Sequence, residues 1–278
     1  MEFRQDPEWV RTVANKELVY SAPSQGSVAC RRNIAYAAGD ASDRLMDVYT
    51  PTEGTGSSFR PAILFVHGGP IPANLATSPK NWRIFESYGR LAAAMGFAGI
   101  TFSHRLFSVA SYPEAAEDLR AAVEYARAHA ESLHVDQNSL CIWVFSGGGP
   151  LLSIYLRDAP EYVRCLVGYY PALDLPTSLF GVSIPRESFS PTVQLKKVTG
   201  CIPPIFIAKA ALDSPELNAT IDAFLRAAIE NGVSVELANH PTGHHGFDVE
   251  DNNEQSRETI RRTFDFVTRY LTQQNRAI

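Results

Sequence analysis

Cysteine is scarce in this sequence: there are four, and none belongs to a C-x-x-C pair. Cys30, Cys141, Cys165 and Cys201 lie far apart, a spacing that signals neither a zinc site nor a thioredoxin-like motif. Cys141 and Cys165 fall inside apolar runs, where a thiol reads as a small buried hydrophobe. Such usage suits a reducing compartment, so a cytoplasmic location is expected. Long hydrophobic runs are also missing. The longest, Leu91 to Phe102, is interrupted by Gly96 and Gly99, well short of the ~18 residues a membrane span needs. Glu2, Arg4, Asp6, Pro7 and Glu8 open the chain with no apolar segment behind them, so no secretory leader is expected. Charge of one sign is lacking too: 25 basic and 30 acidic residues leave a net charge of −5. That mild acidity provides no footprint for nucleic acid or an anionic membrane surface.

What remains is a globular composition, 45% apolar and 20% charged over 278 residues. A chain of this length buries a sizeable core, and large α/β folds often use it as one domain. No internal repeat or low-complexity block stands out. Residues 1–55 read as an N-terminal extension, with a short helix over Pro7 to Leu18 and two antiparallel strands, Ser27 to Tyr36 and Arg44 to Tyr49, joined by Gly39-Asp40 turn chemistry. Short apolar runs then alternate with helix-period segments. Strands are expected over Pro61–Val66, Phe97–Ser103, Leu140–Phe145, Val163–Tyr170, Pro203–Ala208 and Val233–Ala238. Helices are expected over Asn81–Met95, Glu114–Leu133, Leu151–Arg157, Pro215–Asn231 and Glu254–Thr272. The pattern predicts a mostly parallel sheet of about eight strands with helices on both faces. Residues 176–198, with Pro176, Pro185 and Pro191, break the alternation and read as a cap or lid over the site.

In such sheets ligands bind beyond the carboxyl ends of the strands, and the chemically unusual residues fall there. Ser146 ends a strand and is followed by Gly147, Gly148 and Gly149. A tight strand-to-helix turn exposes such a hydroxyl near a helix N-terminus, where free N–H groups favour a developing negative charge. The same pattern also fits a serine that merely caps a helix. A phosphate loop is disfavoured, because neither G-x-G-x-x-G nor a G-K-[ST] ending is present. His67-Gly68-Gly69-Pro70 follows another strand, and the N–H groups of Gly68 and Gly69 are candidate donors to the oxyanion served by Gly147; an ordinary βα turn is the alternative. His67 reads as a residue that holds this loop. A late cluster, His240, His244 and His245, is placed in a loop after the last strand. His245 is the candidate base and His244 its rival. The cluster lacks the helical i, i+4 geometry of H-E-x-x-H and no nearby acid completes a set, so no metal is expected. Asp213 is the candidate acid, with helix capping as its alternative and Asp174 and Asp248 as rivals.

Together these residues run Ser, Asp, His in chain order, each after its own strand, downstream of an HGG loop. On those residues the chain resembles the α/β-hydrolase superfamily, and most the HGG-type carboxylesterases and lipases related to hormone-sensitive lipase, feruloyl esterases and dienelactone hydrolase. The resemblance spans roughly residues 40–275. It extends to Ser103-His104-Arg105-Leu106, to Tyr112-Pro113 through Leu119, to Tyr170-Pro171-Ala172-Leu173-Asp174 and to His245-Gly246-Phe247-Asp248. It implies a single α/β-hydrolase domain over residues 1–278. Its implied reaction is hydrolysis of small carboxylic esters by a Ser146–His245–Asp213 triad, with Gly68, Gly69 and Gly147 as the oxyanion hole. No cofactor or metal is implied, and the partner is a small acyl ester, with a homodimer left open. An arylformamidase-type amidase or small-peptide hydrolase uses the same residues; a non-catalytic binding module is the reading of another class. Two departures stand out. Val144 replaces the first glycine of the elbow, so the following helix is expected to start late or loosely, with the Gly147 N–H displaced. His104 replaces a tyrosine, which bears on the pocket lining. Trp82, Phe107, Tyr112 and Phe180 are candidates for that lining or for the core.

Overall fold

The apolar runs become strands, most of them within two residues of the expected bounds, and the one that ends at Phe145 begins as early as Val135. The computed structural model describes residues 12, 14–22, 27–37, 44–52, 59–75, 77–174, 185–197 and 200–272. Eight strands form one sheet: β1 (Val28–Ala35), β2 (Leu45–Pro51), β3 (Arg60–Val66), β4 (Ala98–Phe102), β5 (Val135–Phe145), β6 (Val163–Tyr169), β7 (Ile205–Ala210) and β8 (Val235–His240), in the order β1-β2-β4-β3-β5-β6-β7-β8. β1 and β2 are antiparallel, as expected, and β3 to β8 are parallel. Of the expected helix Pro7–Leu18, residues 7–11 and 13 lie outside the described residues, Thr12 and Ala14 are helical, and Lys16, Glu17 and Leu18 are not, so the helix ends before Lys16; the Gly39-Asp40 turn lies outside the described residues.

Side chains alternate across the pleat, and β5 divides the core accordingly. Ile142 and Val144 join one apolar cluster, with Leu119, Val123, Leu217, Ile221 and Phe224. Cys141, Trp143 and Phe145 join the other, with Phe85, Tyr88, Ile260, Phe264 and Val267. Helix α1 (Arg83–Ala94) covers the second face, and α2 (Tyr112–Ala128) the first. The expected helix Glu114–Leu133 is divided: α2 ends at His129, and a single turn, α3 (Ala130–Leu133), leads into β5. The apolar period continues through the break, so the pattern does not reveal it.

After Ser146 the chain runs as a 3₁₀ stretch, Ser146–Leu152, before the short α4 (Ser153–Arg157). The expected late start of this helix is therefore found. The 185–197 part of the anticipated cap folds as a 3₁₀ turn and α5 (Pro191–Leu195), capped by the Ser190 hydroxyl, which accepts the Val193 N–H. Residues 175–184, 198 and 199, with Phe180 among them, lie outside the described residues. The remaining helices are α6 (Pro215–Glu230), the single turn α7 (Phe247–Glu250) and α8 (Glu254–Leu271). Among the described residues no helix is long and apolar enough to cross a membrane.

Strand register sets what meets at the carboxyl edge. Val66 is level with Val144, Phe145 with Tyr169, and Ala210 with His240. The loop after β3 therefore lies beside Ser146, and the turn after β7 lies beside the loop after β8.

Candidate active site

Ser146 has φ of +50°, a left-handed conformation that a non-glycine residue adopts only where its surroundings impose it. The three glycines after it account for that imposition. A Cβ on Gly147 would stand 1.8 Å from the Gly69 carbonyl oxygen, one on Gly148 2.9 Å from that of His67, and one on Gly149 2.3 Å from that of Ala172. Backbone thus packs on backbone, with no room for side chains. Gly68 closes the other side, since a Cβ there would meet Ser146 Cβ at 3.0 Å. Tyr112, buried in the core, donates its hydroxyl to the Gly147 carbonyl at 2.7 Å. Neither Gly68 nor Gly69 gives its N–H to a backbone carbonyl among the described residues.

Two buried histidines hold the loop after β3. The His104 N–H donates to His67 Nε2 at 3.3 Å, so the His67 proton sits on Nδ1 and is donated to the Gly68 carbonyl at 2.7 Å. The rings stack with centroids 3.6 Å apart, and His104 Nε2 donates to the His67 carbonyl at 3.1 Å. Burial lowers His67 to about 4 and moves His104 in the same direction, so both are neutral near pH 7. His104 lies beneath the loop, not on the cavity wall, so its replacement of a tyrosine alters the support and not the lining. Arg105 anchors the same segment through a two-pronged pair with Asp118, both contacts at 2.8 Å.

Asp213 and His245 meet. His245 Nδ1 lies 2.5 Å from Asp213 Oδ2, with Asp213 7% exposed and His245 29%. The cap of α6 is Ser214, whose hydroxyl accepts the Leu217 N–H, and this leaves the Asp213 carboxylate for the imidazole. The turn and the histidine loop are zipped together by Ala211 N–H to His240 O at 3.0 Å and Leu212 N–H to Gly243 O at 2.9 Å. Gly68, Gly69, Ser146, Asp213 and His245 all line one cavity of about 960 Å³, walled by Ile71, Trp82, Ile84, Phe85 and Tyr170.

A BD-FAE family model matches residues 46–156, a stretch that contains the HGG loop and Ser146 but neither Asp213 nor His245. No curated protein matches the chain. Among solved structures, esterase B from Lactobacillus rhamnosis with a C4-C4 tributyrin phosphonate superposes with a TM-score of 0.74 at 17% identity, over 96% of this chain and 94% of that one. A truncated carbohydrate esterase from gut microbiota gives 0.72 at 21%, over 91% and 99%. Thermogutta terrifontis esterase 2 phosphoramylated by tabun gives 0.68 at 19%, over 91% and 98%. The chain has the α/β-hydrolase fold.

The rival residues are engaged with other partners. His240 is not in a loop: it is the last residue of β8, buried, with Nε2 2.9 Å from the Ser256 hydroxyl. His244 also borders the cavity, but it is 61% exposed and pairs through Nδ1 with Asp251 at 3.0 Å. Asp248 is fully buried and accepts two tyrosine hydroxyls, Tyr88 at 2.6 Å and Tyr170 at 2.7 Å. Among the described residues no group of histidine, cysteine and carboxylate side chains is arranged to hold a metal ion. Of the aromatic candidates, Trp82 lines the cavity, Tyr112 belongs to the core and Phe107 packs against it.

Thr12 and Lys16 also line the cavity, from a segment the sequence reading placed in an extension. Lys16 pairs with Glu250, and the Val19 N–H donates to the Asp248 carbonyl at 2.9 Å. No motif marks these residues, and only the folded chain brings them to the cavity. No residue of 185–197 lines this cavity.

Proposed function

We propose that this chain is a serine hydrolase that cleaves small carboxylic esters through an acyl-enzyme. The observation that carries this reading is the 2.5 Å contact between Asp213 and His245 Nδ1, in the same cavity as Ser146 and the two-glycine loop packed against it. With Nδ1 committed to Asp213, Nε2 is the nitrogen left to act as base. Ser146 Oγ attacks the ester carbonyl carbon while its proton passes to His245 Nε2. The negative charge gathers on the former carbonyl oxygen, for which the N–H groups of Gly147 and of Gly68 or Gly69 are the donors. Collapse expels the alcohol, which leaves with the proton from Nε2. Water repeats the sequence on the acyl-enzyme and frees the acid. Asp213 keeps the imidazole oriented and stabilises its charged form.

Burst kinetics with p-nitrophenyl acetate and butyrate test the assignment. Ser146→Ala removes both the burst and labelling by a fluorophosphonate, while circular dichroism is unchanged. Undiminished turnover in that variant excludes Ser146 as nucleophile. A wild-type protein that neither labels nor turns over supports a binding module instead.

A further inference from the structure

One buried carboxylate has no part in that reaction. Asp248 sits three residues beyond His245, shielded from solvent, and each of its oxygens is met by a tyrosine hydroxyl: Oδ2 by Tyr88 and Oδ1 by Tyr170. A carboxylate is costly to bury without donors. Burial pushes this carboxyl up from its ordinary range, and the two hydroxyl donors oppose that rise. Tyr170 is unusual in its own right. Its φ is +36°, a conformation that a bulky residue holds only when its surroundings force it. Its ring centroid lies 4.6 Å from that of the His245 imidazole, tilted by 55°, and it lines the cavity beside Ser146. The contacts therefore run from the Asp248 carboxylate to the Tyr170 hydroxyl, and from the Tyr170 ring to the imidazole.

A single hydrogen bond at Nδ1 leaves an imidazole free to pivot about that bond, and an aromatic face against the ring restricts the pivot. We propose that Asp248 is a positioning residue for His245: it anchors Tyr170, with Tyr88 as its second donor, so that the Tyr170 ring seats the imidazole between Asp213 and Ser146. The proposal rests on the ester-hydrolase reading, and it gives Asp248 no contact with substrate.

Asp248→Asn and Tyr170→Phe test it, the first keeping the volume of the carboxyl and the second keeping the ring while removing its anchor. In both, kcat for p-nitrophenyl butyrate falls on the order of tenfold, as for a misplaced catalytic group, and KM stays within roughly twofold because uniform binding is untouched. Fluorophosphonate labelling slows in proportion to kcat. The low-field NMR resonance of the proton between His245 and Asp213 shifts or broadens. A merely structural Asp248 lowers thermal stability but leaves kcat, labelling rate and resonance at wild-type values in the folded protein, and that result overturns the proposal. Should Asp248→Asn fail to fold, Tyr170→Phe decides on the same readouts. Ser146→Ala separates the two levels: if it is inactive while both variants behave as wild type, only the positioning role fails. If it stays active, the ester-hydrolase reading fails and takes this inference with it.

Discussion

Gly147→Ala tests the contact on which the proposed oxyanion donors depend. The added Cβ would lie 1.8 Å from the Gly69 carbonyl oxygen, 2.8 Å from its carbon and 3.1 Å from its nitrogen, so it meets a whole peptide unit and not the end of a flexible side chain. Real Cβ atoms essentially never come within 3.0 Å of such an atom, so the two loops must part by at least about 1.2 Å, the difference between those distances. The elbow has little freedom to retreat. The Gly147 carbonyl is held by Tyr112 at 2.7 Å, and Gly148 and Gly149 already abut the carbonyls of His67 and Ala172. The loop after β3 is backed by Leu106, 3.0 Å from where a Gly69 Cβ would sit. A donor about 2.9 Å from the oxyanion that recedes by this amount stands near 4 Å and no longer forms a hydrogen bond. Losing one such donor costs about 3 kcal/mol of transition-state stabilisation, or 10²–10³ in kcat. The assay is kcat and KM for p-nitrophenyl butyrate below the melting temperature of the variant. Gly200→Ala is the control, since among the described residues no atom lies within 4 Å of a Cβ added there. A folded Gly147→Ala enzyme with kcat within about threefold of wild type refutes the argument, because one lost donor costs far more.

Acid should destabilise the fold through the buried histidines. His67 falls from 6.5 to about 4 on folding, so the unfolded chain binds the extra proton between those values. Stability is complete above about pH 6.5 and falls by about 1.4 kcal/mol per pH unit for such a histidine as pH drops toward 4. His104 acts in the same direction, while Asp248, raised by burial, opposes them. Urea midpoints at pH 7.5, 6.5 and 5.5 should therefore decline, and a flat series contradicts the reading. Lys80→Met should cost about 3–5 kcal/mol, because Lys80 donates to Asp47, Asn33 and Asn81 at 2.8–2.9 Å with both charged partners buried. The double variant Lys80→Met, Asp47→Leu should regain much of that loss in thermal denaturation, and failure to do so means that the pair is net stabilising.

The architecture was legible because parallel strands buried on both faces appear in sequence as unbroken apolar runs. Ser146, Asp213 and His245 were legible because each follows such a run. What escaped the reading has physical reasons. The apolar run Val233–Ala238 stops before the polar Asn239 and His240, yet the ladder continues to Ala210↔His240, where the Ser256 hydroxyl meets the imidazole at Nε2. The capping alternative for Asp213 was plausible by residue type, but the adjacent Ser214 takes the cap. Asp248 looked like a competitor for His245 by proximity in sequence. Its true partners lie 160 and 78 residues away at Tyr88 and Tyr170, and no local pattern encodes them.

The substitution of valine for the first elbow glycine finds its explanation in the same geometry. Val144 is fully buried and belongs to the cluster that contains Leu151 and Leu152, so its branched side chain packs on the side of the sheet where the segment after Ser146 runs. The chain answers with a tighter 3₁₀ stretch over Ser146–Leu152, containing Pro150, which lacks the N–H that an α-helical turn would use. Glycine is needed after Ser146 at three successive positions, each against a carbonyl oxygen of a neighbouring loop. A glycine at position 144 would therefore not lengthen the helix, because Gly149 would still abut Ala172 and Pro150 would still lack its donor.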